Sequence, residues 1–130
     1  MRTLALLTGV AFLAIGAAAF VPAANPHGLL GGLVEMDTEQ AILFVASGLL
    51  GFAFSAAGEA SARTFFRLVG IVYAILALMG LFAPAGELMG MAVNAPGKVL
   101  HAAIAVWALY LGFFRDARLA SRGPGLNGAD

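Results

Sequence analysis

A chain of 130 residues that is 62% hydrophobic, 11% charged and formally neutral has too little polar material to cover a surface in water, where a soluble domain carries about 25% charged residues. Lipid is the expected solvent, and with no net charge no global field draws the chain to nucleic acid. The absence of cysteine removes disulfide exchange, thiolate catalysis and thiolate-ligated iron–sulfur clusters.

In chain order, four apolar runs stand out at about 4–21, 41–57, 65–83 and 98–114. Each is near the roughly 17–25 residues that a helix needs to cross the hydrocarbon of a bilayer. Backbone groups in lipid must be satisfied internally, which favours helices, and no strand alternation of the barrel type runs through them. After the first run, Pro22, Pro26 and Gly28 break the chain. Asp37 or Thr38 then caps the second helix, with Gln40 three residues after Asp37 as a capping box places its partner. Residues 58–63, Gly-Glu-Ala-Ser-Ala-Arg, read as a short polar connection. In the third run Arg67 lies close enough to the end to snorkel. Pro84 and Gly86 end that run, Asn94 caps the fourth helix, and Pro96 sits in its first turn, where a missing N–H costs little. The expected fold is an all-α, four-transmembrane-helix domain over residues 1–118, with a disordered cytoplasmic tail at 119–130.

Charge sets an orientation. Arg2, Arg63, Arg67, Arg115, Arg118 and Arg122 flank the N-terminus, the middle connection and the tail, which four spans place on one side; the other two connections hold Lys98. The cation-rich side is cytoplasmic, so both termini are expected inside a bacterial inner membrane, with Glu35, Asp37, Glu39 and Glu87 outside. A cleaved signal peptide over residues 1–24 is the competing reading; the apolar run is longer than a usual h-region, and Pro22 falls badly for the cut.

The chain also repeats itself. Phe20-Val21-Pro22-Ala23 is echoed by Phe82-Ala83-Pro84-Ala85; Gly9 aligns with Gly70, Phe12 with Tyr73, Asp37 with Asn94 and Phe44 with His101. Each half reads as span, outer connection with an Asx cap, span. Two spans return the chain to its starting side, so the halves are expected to be parallel helical-hairpin repeats.

This pattern resembles a family of small bacterial four-span membrane proteins of unknown function, in which an outer-loop Asn is followed by Leu-His entering the next helix. The matching residues are Asn94 through Leu100-His101, preceded by the third-span stretch from Phe66 to Tyr73. The first half departs from it, with Asp37 for Asn and Phe44 for His. The resemblance implies a fold and a membrane location and brings no activity. A fainter resemblance, mainly by span count, is to DoxX-like proteins.

His101, Asn94 and Tyr73 are the candidate ligand or proton site. An ionisable residue in a span is uncommon and often functional, and His101 could carry a proton, a metal or a haem; equally, it could be a packing histidine bonded to a neighbouring carbonyl. Tyr73 needs a partner for its hydroxyl, sought first at Ser47. Two histidines without further ligands make no metal site, so no metal, cofactor or catalytic residue is expected. Small residues on the second, third and fourth spans, Gly48, Gly51, Gly70, Ala74, Ala77, Ala105, Ala108 and Gly112, mark intrachain packing or a homo-oligomer seam. The expected function is a non-enzymatic membrane protein in an accessory or structural role, with the lipid bilayer as its partner. The alternatives are an oligomeric transporter or channel and a membrane redox protein using His101.

Overall fold

Residues 1–82, 86–88 and 91–115 are described by a computed structural model, of which 86–88 and 91–93 by backbone alone. The chain is predominantly helical. Helix α1 is Arg2–Ala18, α2 is Thr38–Ala57, α3 is Glu59–Phe82, and α4 is Ala95–Leu109. Three helices are long and apolar enough to cross a membrane: Thr38–Ala57, Glu59–Phe82, and α4 taken with its continuation, Ala95–Phe114. Helix α1 is apolar but shorter, at 17 residues, or about 26 Å at 1.5 Å per residue.

Three expectations from the sequence change. The first helix stops at Ala18, short of position 21. Phe20 and Val21 donate instead to the carbonyls three residues back, on Ala17 and Ala18. Pro22 explains this: its ring disfavours helical geometry at the residue before it. The polar stretch at 58–63 is a helical start, and the connection between α2 and α3 shrinks to Gly58, with φ 127. Ala60, Ala62 and Arg63 are good helix formers whatever their polarity, while glycine alone takes that backbone angle without steric cost. The α1–α2 and α3–α4 connections also each contain a small antiparallel ribbon. In the first, β1 (Leu29–Leu30) pairs with β2 (Val34–Glu35); in the second, β3 (Gly86–Leu88) pairs with β4 (Met91–Val93). The tail at 119–130 lies outside the described residues.

Both caps form as the spacing requires. Asp37 accepts from the Gln40 N–H at 2.9 Å and Asn94 from the Gly97 N–H at 3.0 Å. Each ribbon therefore runs within two residues of an Asx-capped helix start.

Close approaches at glycine fix the helix directions. A Cβ added to Gly51 would lie 2.9 Å from the Gly9 Cα and 3.1 Å from the Ala5 carbonyl oxygen, while one at Gly16 would lie 2.9 Å from the Ala41 oxygen. Rising numbers on α1 meet falling numbers on α2, so the two are antiparallel and touch backbone to backbone. Helices α3 and α4 are antiparallel as well: Gly70 abuts Leu109, and Gly112 abuts Arg67. Helices α1 and α3 run in the same direction, since Met1 pairs with Glu59 at one end and Phe12 stacks on Tyr73 further along. Backbone contact of this kind gains dispersion energy at many atoms at once, which is how helices associate where lipid supplies no hydrophobic drive. The buried cluster includes Phe12, Phe44, Phe65, Phe66, Val69, Tyr73, Leu76, Ile104 and Leu111.

Candidate functional site

The centre of the molecule is a layer of four rings, one from each helix. Phe12 of α1 and Phe44 of α2 meet edge to face at 5.6 Å, Phe12 stacks on Tyr73 of α3 at 5.6 Å, and Phe44 meets Tyr73 at 5.8 Å. Tyr73 in turn meets the imidazole of His101 on α4 at 5.8 Å, with the ring planes 65° apart. All four side chains are buried. Such offset and edge-on pairs add about 0.5–1.5 kcal/mol each beyond the area they bury.

The polar atoms in this layer are treated unequally. The Tyr73 hydroxyl and the Ser47 hydroxyl are 3.2 Å apart and share a hydrogen bond, the partner expected from the sequence. His101 is 1% exposed, and among the described residues neither Nδ1 nor Nε2 has a hydrogen-bond partner. The expected bond from a packing histidine to a neighbouring carbonyl is not formed there.

Asn94 is brought to a different place and a different task. Besides capping α4, its Oδ1 accepts from the Glu35 N–H at 3.1 Å, and its Nδ2 donates to the Leu33 carbonyl at 2.9 Å. One side chain thus closes a helix end and clasps the ribbon of the other connection. Gln40 supports the same ribbon, donating from Nε2 to the Glu35 carbonyl at 3.1 Å. Asn94 precedes His101 by two helical turns, about 10 Å along the axis. The structure therefore joins His101 to Tyr73 and sets Asn94 apart, with its amide engaged.

The other histidine is remote in character. His27 is exposed, in a 3₁₀ turn at Pro26–Gly28, with φ 54. Glu39 is exposed and Asp37 is used in capping; the Glu87 side chain lies outside the described residues. Among the described residues no group of three His, Cys, Asp or Glu side chains could hold a metal ion.

Two polar arrangements had no signature in the sequence. Arg67 donates from Nε to the Gly112 carbonyl at 2.8 Å and lies 5.3 Å from the centre of the Phe113 ring. Here α4 widens into a π-helical turn over Tyr110–Phe114. At the start of α1, which has no side-chain cap of its own, the Glu59 carboxylate takes the role from another helix. It accepts from the Arg2 N–H at 3.3 Å and pairs with the Met1 amine at 3.0 Å. That amine, and then the Arg2 N–H, hold the Glu59 carboxyl below its usual range. Glu59 precedes the apolar part of α3. Nearby, Arg2 and Ser55 bond reciprocally, Arg2 Nε to the Ser55 carbonyl and Ser55 Oγ to the Arg2 carbonyl, both at 2.9 Å.

With the geometry in place, comparison with known proteins identifies a family. Residues 2–114 match the family described as Domain of unknown function (DUF4383). The chain belongs to the DUF4383 family. No curated protein matches it, and no solved structure does. The DUF4383 match spans all four helices and both ribbons, and fits the expected likeness to a small family of unknown function; the DoxX-like resemblance finds no counterpart.

Proposed function

We propose that this DUF4383 chain is a non-enzymatic integral membrane protein with an accessory or structural role. In this reading it is a bundle of four spans built from two parallel hairpins, held in a bacterial inner membrane with both termini in the cytoplasm. The observation that carries it is the filled ring layer. A transport pathway or a ligand site needs polar groups lining a space near mid-membrane. Here the groups best suited, Tyr73 and Ser47, are bonded to each other and packed against Phe12 and Phe44.

The hairpin repeat is supported by α1 and α3 running the same way, and by an Asx cap after a ribbon in both halves. It is supported further by the meeting of Phe12, Phe44, Tyr73 and His101, which the repeat alignment pairs as Phe12 with Tyr73 and Phe44 with His101. The orientation rests on Arg2, Arg63, Arg67 and Arg115 lying at one end of the helices and Lys98 at the other. The widening of α4 at Tyr110–Phe114 then faces the cytoplasmic side.

The chain has no cysteine, so single cysteines report position cleanly. Leu33→Cys, at the exposed tip of the first ribbon, is expected to react with a membrane-impermeant maleimide on intact spheroplasts. Ala60→Cys is expected to react only after permeabilisation. Equal labelling of the two from outside refutes the arrangement. Purified protein with a Soret band would instead favour the redox alternative through His101.

A further inference from the structure

His101 is the buried group that the structural role leaves unexplained. An apolar side chain would fill its place: by the repeat alignment the corresponding position on α2 holds Phe44, packed in the same layer. Histidine differs from phenylalanine at such a site in one respect that matters, since it can take up a proton near neutral pH.

Among the described residues the surroundings have no answer to a charge there. Tyr73 is the titratable group in ring contact from α3, and its hydroxyl is turned to Ser47. Helix α1 has no ionisable side chain after Arg2. On α2 the carboxylates are Asp37 and Glu39, at and beside the cap; Asp37 lies two turns before Phe44 and accepts from Gln40. On α4 the nearest charged side chain is Lys98, three residues before His101, and it is a cation. Among the described residues no carboxylate contacts the imidazole. Burying an unpaired charge costs several kcal/mol after relaxation, comparable with what a few ring contacts supply.

We propose that His101 is a proton-binding site that latches the ring layer. With the imidazole neutral, α4 stays packed on Tyr73. Proton uptake parts α4 from that layer, because the imidazolium gains solvation only by leaving it. Asn94, on the same helix, carries the movement to the ribbon that it clasps through Leu33 and Glu35. The proposal rests on the packed layer and is independent of which way the chain lies in a membrane.

The protein contains its own reporter. Its one tryptophan, Trp107, lies six residues after His101 on α4, and its Nε1 donates to the Thr8 hydroxyl of α1 at 3.5 Å. The experiment takes the full chain in neutral detergent micelles from about pH 8 to about pH 5, a range that brackets ordinary imidazole titration and stays above that of carboxylates. Acid is expected to shift Trp107 emission reversibly and, with the intrinsic pH dependence of exchange divided out, to lower amide protection in the first turns of α4 by on the order of tenfold or more. His101→Gln and His101→Phe are expected to abolish both changes, and His27→Gln to keep them. A wild-type signal that stays flat, or a transition that survives in His101→Phe, overturns the proposal. If His101→Phe fails to fold, His101→Gln together with ¹⁵N-imidazole spectra of the wild type decides it: a His101 that titrates while α4 protection is unchanged overturns the latch. Failure of the cysteine-labelling experiment, by contrast, refutes the membrane topology and leaves these outcomes untouched.

Discussion

The sharpest test of the packing is Gly9→Ala, because two physical effects oppose each other there. Intrinsic propensity favours alanine over glycine in a helix interior by about 1 kcal/mol. Sterics disfavour it: the new Cβ would lie 2.9 Å from the Gly48 carbonyl oxygen and 3.3 Å from the Gly51 Cα. Both neighbours are backbone, so no side chain can swing aside. Relief requires α1 and α2 to part by roughly half an ångström, and a gap of that size forfeits about a quarter of the dispersion well at every contact along the seam. Overpacking costs about 1–3 kcal/mol, and two unyielding backbone neighbours put this site in the upper part of that range, at about 2–3 kcal/mol, so after the propensity gain the net expectation is destabilisation by about 1–2 kcal/mol. The control is the same substitution at Gly80, whose added Cβ would meet, among the described residues, nothing nearer than the Lys98 Cγ at 3.5 Å, an ordinary contact with a flexible side chain. There alanine is expected to be neutral or to stabilise by up to about 1 kcal/mol. The assay is a denaturant titration of the purified protein in mild micelles, followed by Trp107 fluorescence and circular dichroism. A Gly9→Ala variant as stable as the wild type, or a Gly80→Ala variant that loses as much as Gly9→Ala, refutes the reasoning. The double variant Gly9→Ala/Gly51→Ala adds a further check: once the seam is opened, the second change should cost at least about 0.5 kcal/mol less than it does alone.

Other outcomes follow from single bonds. Tyr73→Phe removes one partner of the buried Ser47 pair and is expected to cost about 0.5–1.5 kcal/mol in the same titration. Asn94→Ala loses the cap, worth about 1 kcal/mol, and frees the Glu35 amide, which should exchange measurably faster; Asn94→Asp keeps the acceptor and should recover the cap while losing the tie to Leu33. For Glu59 the carboxyl is held below its usual value in the folded chain, so its contribution is complete above the unfolded value near 4.5 and is lost as the pH falls through the lower folded value. The stability gap between wild type and Glu59→Gln should therefore close in acid, and a gap that persists undisturbed there would argue against the pairing with the Met1 amine.

Much of this arrangement could be read from the residues because its causes are local. Continuous apolar runs announce helices, an Asp or Asn four residues before such a run announces a cap, and a tyrosine within a span announces a need for a partner. Phe12, Phe44, Tyr73 and His101 could be aligned in pairs from the internal repeat, though nothing in the sequence said that all four would meet. What stayed hidden was set by distance or brevity. Strands of two or three residues are too short to leave an alternation, so the ribbons gave no signal. The clasp of Asn94 on Leu33 and Glu35 joins residues far apart in the chain, and its amide looks the same in sequence whether it caps alone or also ties. Within the π turn at Tyr110–Phe114, Arg67 reaches the Gly112 carbonyl from another helix, a contact that no property of YLGFF foretells. The unpaired state of His101 was equally illegible, because it is a property of what surrounds the ring.

Gly58 has a consequence for how the whole chain can deform. With a lone residue between them, α2 and α3 share a single pivot, and neither can slide lengthwise past the other without unwinding a turn. Their remaining freedom is a scissor-like spread that is smallest at Gly58 and greatest at the far ends. Those far ends are where the two ribbons and the Asn94 clasp sit, so the fold places cross-bracing at the mouth of the hinge.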